Sequence, residues 1–170
     1  MIRPKQLLQT KYFIPKLRPG MVTRPRLIKN INKGLDKKLT LLCAPAGYGK
    51  TSLLSDWALQ TKYSVVWLTL DADDNNAKTF FDYLIHAFTN KELGGVADCL
   101  RILNNSTWGT NKEFLISFIN CISQHDGKII LVLDDFHQIS NNNIYNTVIF
   151  LLENMPPSLH LMISTRADPL

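Results

Sequence analysis

Apolar residues along the chain fall into two kinds of run. Leu39–Cys43, Val65–Leu70, Ile129–Leu133 and Leu159–Ser164 are short and nearly continuous. Runs of that length read as strands of a parallel sheet, Leu39–Cys43 as a buried one, and Val65–Leu70 is also rich in β-branched and aromatic residues. Between them the apolar positions recur at helical spacing. Thr51 to Gln60 places Leu53, Leu54, Trp57 and Ala58 on one face, and Thr79 to Asn90 does the same with Phe80, Phe81, Leu84, Ile85 and Phe88. Lys112 to Ser123 and Ile144 to Met155 are two further amphipathic helices, the second closed by Pro156-Pro157. Pro25 opens a helix over Arg26 to about Leu35, with Gly34 near its end. Residues 1–23 read as an extended lead-in, and 94–110, with Gly94, Gly95, Asn104, Asn105 and Gly109, as mostly loop. Strands alternating with helices predict an α/β fold with a mainly parallel sheet. Residues 1–38 are expected to form a basic N-terminal segment and helix, and 39–170 the main domain.

Composition narrows the class. The 170 residues suit one domain with a real core, and 45% hydrophobic against 19% charged content is ordinary for a globular protein. No apolar run approaches a membrane span, and the N-terminus lacks the apolar stretch of a secretory signal. The three cysteines, Cys43, Cys99 and Cys121, show no CxxC spacing, which argues against a disulfide framework or a zinc site and fits a reducing cytoplasm. Cys43 reads as buried filler. Net charge is +5, unevenly placed: eleven of nineteen Lys and Arg lie in residues 1–38 beside one acid, Asp36. That arm is either solvated or nucleotide-facing, or a nucleic-acid footprint.

The chemistry concentrates after the first strand, in Ala44-Pro45-Ala46-Gly47-Tyr48-Gly49-Lys50-Thr51. This is the Walker A pattern with alanine in place of the first glycine. A strand before and an amphipathic helix after it are what a phosphate loop needs: backbone N–H groups form a concave anion site, and the helix adds its positive end. Nucleotide contacts are expected from Ala46, Gly47, Tyr48, Gly49, Lys50, Thr51 and Ser52. Lys50 is expected on the β- and γ-phosphates, and Thr51 on Mg²⁺, which takes oxygen donors. Asp134 and Asp135 end the most apolar strand, as in a Walker B motif. Asp134 is expected to hold Mg²⁺ and Asp135 to orient or deprotonate an attacking water, so Lys50 and Asp135 are the catalytic candidates. Arg166, just past the fourth strand, is expected at the same sheet edge, facing the γ-phosphate. His86, His125, His137 and His160 show no metal spacing; His137, two residues after the acid pair, is the one of interest. Trp57 and Trp67 read as core.

With those residues on the page, the chain resembles the nucleotide-binding domain of the large ATP-binding LuxR-family transcriptional regulators, the maltose-regulon-activator-like STAND P-loop NTPases. The resemblance runs in order through Lys11-Tyr12-Phe13-Ile14-Pro15 with Val22–Leu27, the phosphate loop, and Val66–Asp71 with Asp73, Asp74, Asn75 and Phe80. It ends with Leu131–His137 and Ser164–Pro169. It implies ATP or ADP as ligand, ATP binding as an activation switch, and the Val22–Arg26 segment, hence Arg24, near the adenine. It implies a three-layer α/β/α P-loop fold with STAND- and AAA-like strand order 5-1-4-3-2, the arginine strand lying between the Walker strands. Relatives continue through a fifth strand, helical, winged-helix and sensor domains, and a C-terminal helix-turn-helix that contacts DNA. The 170 residues carry none of these, so the sequence is expected to be a piece of a longer regulator or a truncated product. Its first strand is then an exposed edge open to self-association.

Two other function classes stay open on the residues alone. A small P-loop phosphotransferase acting on a metabolite would need an arginine-rich lid, and only Arg101 and Arg166 follow the phosphate loop. A nucleic-acid-binding module would use the basic arm and show steep salt dependence. No NKxD-type guanine motif is present, which favours ATP.

Overall fold

The computed structural model describes residues 7–104 and 112–167. The charges of Arg3 and Lys5, the loop read over 105–110 and the family-like Asp168-Pro169 lie outside the described residues. The elements in chain order are α1 (Pro25–Gly34), β1 (Leu39–Cys43), α2 (Lys50–Gln60), β2 (Ser64–Thr69), α3 (Ala77–Thr89), α4 (Gly95–Asn104), α5 (Lys112–Ile122), β3 (Ile129–Asp134), α6 (Asn142–Asn154) and β4 (Leu159–Thr165).

The four strands form one parallel sheet in the order β1-β4-β3-β2. β4, which leads directly into Arg166, therefore lies between the strands that lead into the two Walker motifs. Alternation along each strand divides the core into two layers. Val65, Trp67, Ile130, Val132 and Met162 pack against Leu53, Leu54 and Trp57 of α2 and Ile31 of α1. Val66, Leu68, Leu131, Leu133, Leu161 and Ile163 face the opposite layer, with Phe80, Leu84 and Phe88 of α3, Phe118 of α5 and Ile144 of α6. Helices on both faces make a three-layer α/β/α architecture, the P-loop NTPase arrangement expected. Trp57 and Trp67 are both core residues.

Four sequence-based expectations need correction. β1 is not the buried strand that its apolar run suggests: it is the sheet edge, as the family resemblance implied, with no strand beyond it among the described residues, and Leu41 is more than a third exposed. Cys43 is for the same reason exposed rather than buried filler. The stretch after Gly94 is not mostly loop: Gly94 takes positive φ and α4 begins at Gly95, burying Val96 and Leu100. The lead-in is not wholly extended, since Gln9–Tyr12 forms a 3-10 turn.

The cysteines supply a further correction, because Cys99 of α4 and Cys121 of α5 are joined as a disulfide, their Cα atoms 5.6 Å apart. Packing of α4 against α5 brings together two residues that sequence spacing left unrelated. Closing a loop of 22 residues restricts the unfolded chain by about 3 kcal/mol in the loop-entropy picture. Reduction, or Cys99→Ala, is thus expected to lower the thermal midpoint by roughly 5–10 °C. Scanning calorimetry with and without reductant checks this, and equal midpoints would remove the cross-link from the stability account.

The lead-in is anchored by one buried cation. Lys11 Nζ reaches Asp74 Oδ1 and Oδ2 at 2.8 and 2.7 Å and Asp71 Oδ2 at 2.7 Å, and lies 4.7 Å from the Tyr83 ring centroid. Burial works to lower the Lys11 ammonium, and Asp71 and Asp74 outweigh it, leaving its pKa above the usual value. Leu8 N–H donates to the Tyr83 hydroxyl at 3.1 Å. Asp71 and Asp74 also cap the turn that follows β2: Asp73 N–H donates to Asp71, and Asp71 N–H to Asp74. The acidic stretch that breaks the helical pattern in sequence is therefore a capped turn that receives Lys11.

Candidate functional site

The parallel sheet delivers the ends of β1, β3 and β4 to one edge. After β1, residues 44–49 form a loop that leads directly into α2. Gly47 and Gly49 both take left-handed backbone, with φ of 82° and 72°. Gly49 is the N-cap of α2, and a Cβ there would stand 3.3 Å from Arg24 Nη2. Asp135 is the one non-glycine residue with positive φ among the described residues, so Ala44 sits in ordinary backbone and the alanine start of the motif is accommodated. Lys50 folds back over the loop, its ammonium donating to the carbonyls of Ala44 at 2.7 Å and Pro45 at 3.2 Å. No side chain caps the start of α2, so its first-turn N–H groups are left without intrahelical acceptors, as an anion site requires.

Arg24 joins this loop from the N-terminal segment. Its Nη1 donates to the Tyr48 carbonyl at 2.7 Å, while the Tyr48 side chain is largely exposed. Beside it opens a cleft of about 210 Å³ with apolar walls from Met21, Val22 and Leu53 and polar groups from Arg24, Ser52 and Asp56. A larger hollow of about 540 Å³ between α5 and α6 contains none of the residues that the sequence singles out. Chemistry, not volume, locates the site.

Asp134, the last residue of β3, is fully buried and faces α2 on the same side of the sheet as Val132. Its Oδ2 accepts from the Thr51 hydroxyl at 2.8 Å, and its Oδ1 accepts from the Ser164 hydroxyl. Burial raises its pKa above the usual carboxylate value, against the hydrogen bonds from Ser164 and Thr51 and with help from the neighbouring Asp135 charge. Asp135 turns out of the strand at φ 58°, and its N–H donates to Ser164 Oγ at 3.0 Å.

His137 Nδ1 lies 3.7 Å from Asp135 Oδ1. Both of its ring nitrogens are buried and lack a hydrogen-bond partner among the described residues. Burial lowers its pKa, as do the charges of Arg166 and Lys50, while Asp135 opposes them. The imidazole is thus held neutral amid the charged groups of both Walker motifs and the arginine strand. Arg166 itself is exposed at the end of β4.

Residues 33–169 match the AAA domain family. The chain belongs to that family. It is also similar to the HTH-type transcriptional regulator MalT of Yersinia pestis (strain Pestoides F), with 34% identity over 165 residues that cover 96% of this chain and 18% of the relative. The MalT of Yersinia enterocolitica serotype O:8 is 30% identical over 163 residues, with the same coverage. The chain thus spans under a fifth of the length of these curated relatives. Among solved structures, the crystal structure of Cdc6p from Pyrobaculum aerophilum aligns with TM-score 0.56 at 18% identity, over 92% of this chain and 41% of that one. At that identity the likeness is one of fold.

The AAA domain brings most of the sequence-predicted residues into one constellation. Ala46, Gly47, Tyr48, Gly49, Lys50, Thr51 and Ser52 form the loop and first turn. Thr51 and Asp134 are hydrogen-bonded, Arg24 grips the loop, and Arg166 is near enough for its charge to act on His137. Two contributors were named from the sequence only as parts of family-like segments, with no role of their own. Ser164 is one of three polar residues in β4, with His160 and Thr165, and nothing in the sequence sets it apart from them. Asn75 ties the turn after β2 to the segment behind Asp135, accepting from Ser140 and Asn141 N–H and donating to the Gln138 carbonyl. Nothing in its local pattern announces those partners. No helix among the described residues is long and apolar enough to cross a membrane.

Proposed function

We propose that this AAA domain binds ATP with Mg²⁺ and acts as the nucleotide switch of a cytoplasmic LuxR-type transcriptional regulator, with slow hydrolysis returning it to an ADP form. The observation that carries the reading is the Thr51–Asp134 hydrogen bond, which joins the phosphate-loop helix to the acidic strand end. Two hard oxygen donors side by side at a helix N-terminus fit Mg²⁺, which would neutralise charge on the β- and γ-phosphates when bound. Lys50 leaves its carbonyl partners for the phosphates, Thr51 and Asp134 hold the metal, and Asp135 orients water. Arg166 meets the γ-phosphate, and the cleft beside Arg24 takes the adenine. DNA contact belongs to a helix-turn-helix elsewhere in the longer protein, and the free edge of β1 is where self-association would occur.

A switch must contact its two ligands differently. Hydrogen exchange with saturating ATP and with saturating ADP, both with Mg²⁺, is expected to show stronger protection of 134–138 and 164–166 with ATP. Identical protection in the two states would rule out a γ-phosphate switch in this domain.

A further inference from the structure

We propose that Ser164 is a positioning residue for the metal site: its hydroxyl fixes both acids of the β3 end and so sets how strongly Mg²⁺ reinforces nucleotide binding. The inference rests on the reading above that Asp134 and Thr51 hold Mg²⁺.

The case begins with register. β3 and β4 pair through Leu133 and Ile163, which sets Asp134 beside Ser164 one residue further on. Alternation puts Met162 in the layer that faces α2, so Ser164 points to the same side, as does Asp134 after Val132. Ser164 is fully buried in a strand flanked on both sides, pairing with Leu42 of β1. A hydroxyl in such a place has one proton and two lone pairs to satisfy. It donates the proton to Asp134 Oδ1 and accepts the Asp135 N–H at 3.0 Å.

Those two bonds do different things. The first orients the Asp134 carboxylate so that Oδ2 faces Thr51, whose hydroxyl lies 2.8 Å away. The second satisfies the Asp135 N–H just where the chain leaves the strand for left-handed backbone, a conformation that is unfavourable for a residue with a Cβ. One side chain therefore holds the rotamer of the first acid and the kink that redirects the second, without standing in the phosphate loop. Alanine would keep the strand and its packing but free the carboxylate to turn and leave the Asp135 N–H without its acceptor.

The test is calorimetric titration of the 170-residue chain with ATP, in Mg²⁺ and again in EDTA, for the wild type, Ser164→Ala and Ser164→Thr. The ratio of the two dissociation constants is the gain due to the metal. Ser164→Ala is expected to cut that gain by about tenfold or more, the usual effect of losing a partner that orients a metal ligand, with the EDTA value held within about twofold. Ser164→Thr, which keeps the hydroxyl, is expected to restore it. A metal gain in Ser164→Ala equal to wild type would overturn the proposal. So would equal weakening with and without metal, which would mark a general packing role. Absence of ATP binding by the folded wild type would instead defeat the nucleotide reading itself, and the proposal with it.

Discussion

Lys50→Ala is expected to weaken binding of ATP with Mg²⁺ by at least about 100-fold, because each charge-assisted hydrogen bond to a phosphate contributes roughly 1.5–3 kcal/mol and the proposed function has Lys50 make two. Its present partners are the carbonyls of Ala44 and Pro45, in a loop at the protein surface. Those carbonyls can turn to water when the ammonium is lost, so the fold should hardly notice the substitution. The expected signature is a split: nucleotide affinity collapses while the thermal midpoint stays within a few degrees. Titration of the variant beside a melting curve reads both. A fall in both together would mean that Lys50 braces the loop rather than serving the ligand.

The second large effect concerns the fold. Lys11→Met is expected to destabilise the domain by about 3–5 kcal/mol, the usual consequence of leaving a buried charge without its partner. Asp74 has no solvent exposure, and its two oxygens both face Lys11. Burial works to raise the Asp71 carboxyl, and the hydrogen bonds from Lys11 and the Asp73 N–H together with the Lys11 charge outweigh it, leaving its pKa below the usual value. Methionine keeps the length of the stem, so the loss reports the charge rather than a cavity. Adding Asp74→Asn should recover part of it, since an amide is far easier to bury than an unpaired carboxylate. Urea denaturation of the single and double variants measures the coupling. A single-variant loss under about 1 kcal/mol, the worth of an ordinary surface pair, would show that Lys11 is not an anchor.

The N-terminal segment touches both regions. Lys11 fixes the segment that leads to Met21, Val22 and Arg24, and Arg24 reaches the Tyr48 carbonyl in the phosphate loop. The basic character of residues 1–38 thus has at least two specific uses in the fold and at the loop.

Much of this was legible in the sequence because it is written in local spacing. The phosphate loop is a contiguous pattern whose glycines answer to a backbone requirement, and Gly47 and Gly49 do take positive φ. The four apolar runs became the four strands, and the arginine strand took its place between the Walker strands, as the family resemblance implied. What stayed hidden depends on pairs distant in sequence. Cys99 and Cys121 meet because α4 packs on α5, and no spacing rule announces that. α4 was masked by the glycines at its start, although Val96, Cys99 and Leu100 carry helical spacing and Asp98 pairs with Arg101 one turn later. Cys43 looked like core because an edge strand and a central strand can share one composition. Ser164 required the register of β3 against β4 before its hydroxyl could be seen to face both acids.

The most direct test of a nucleotide-binding AAA domain is calorimetric titration of the folded wild-type chain with ATP, in Mg²⁺ and in EDTA. Saturable binding at one site per chain, tightened by Mg²⁺, is the predicted result. A folded sample that shows no saturable binding under either condition would contradict it.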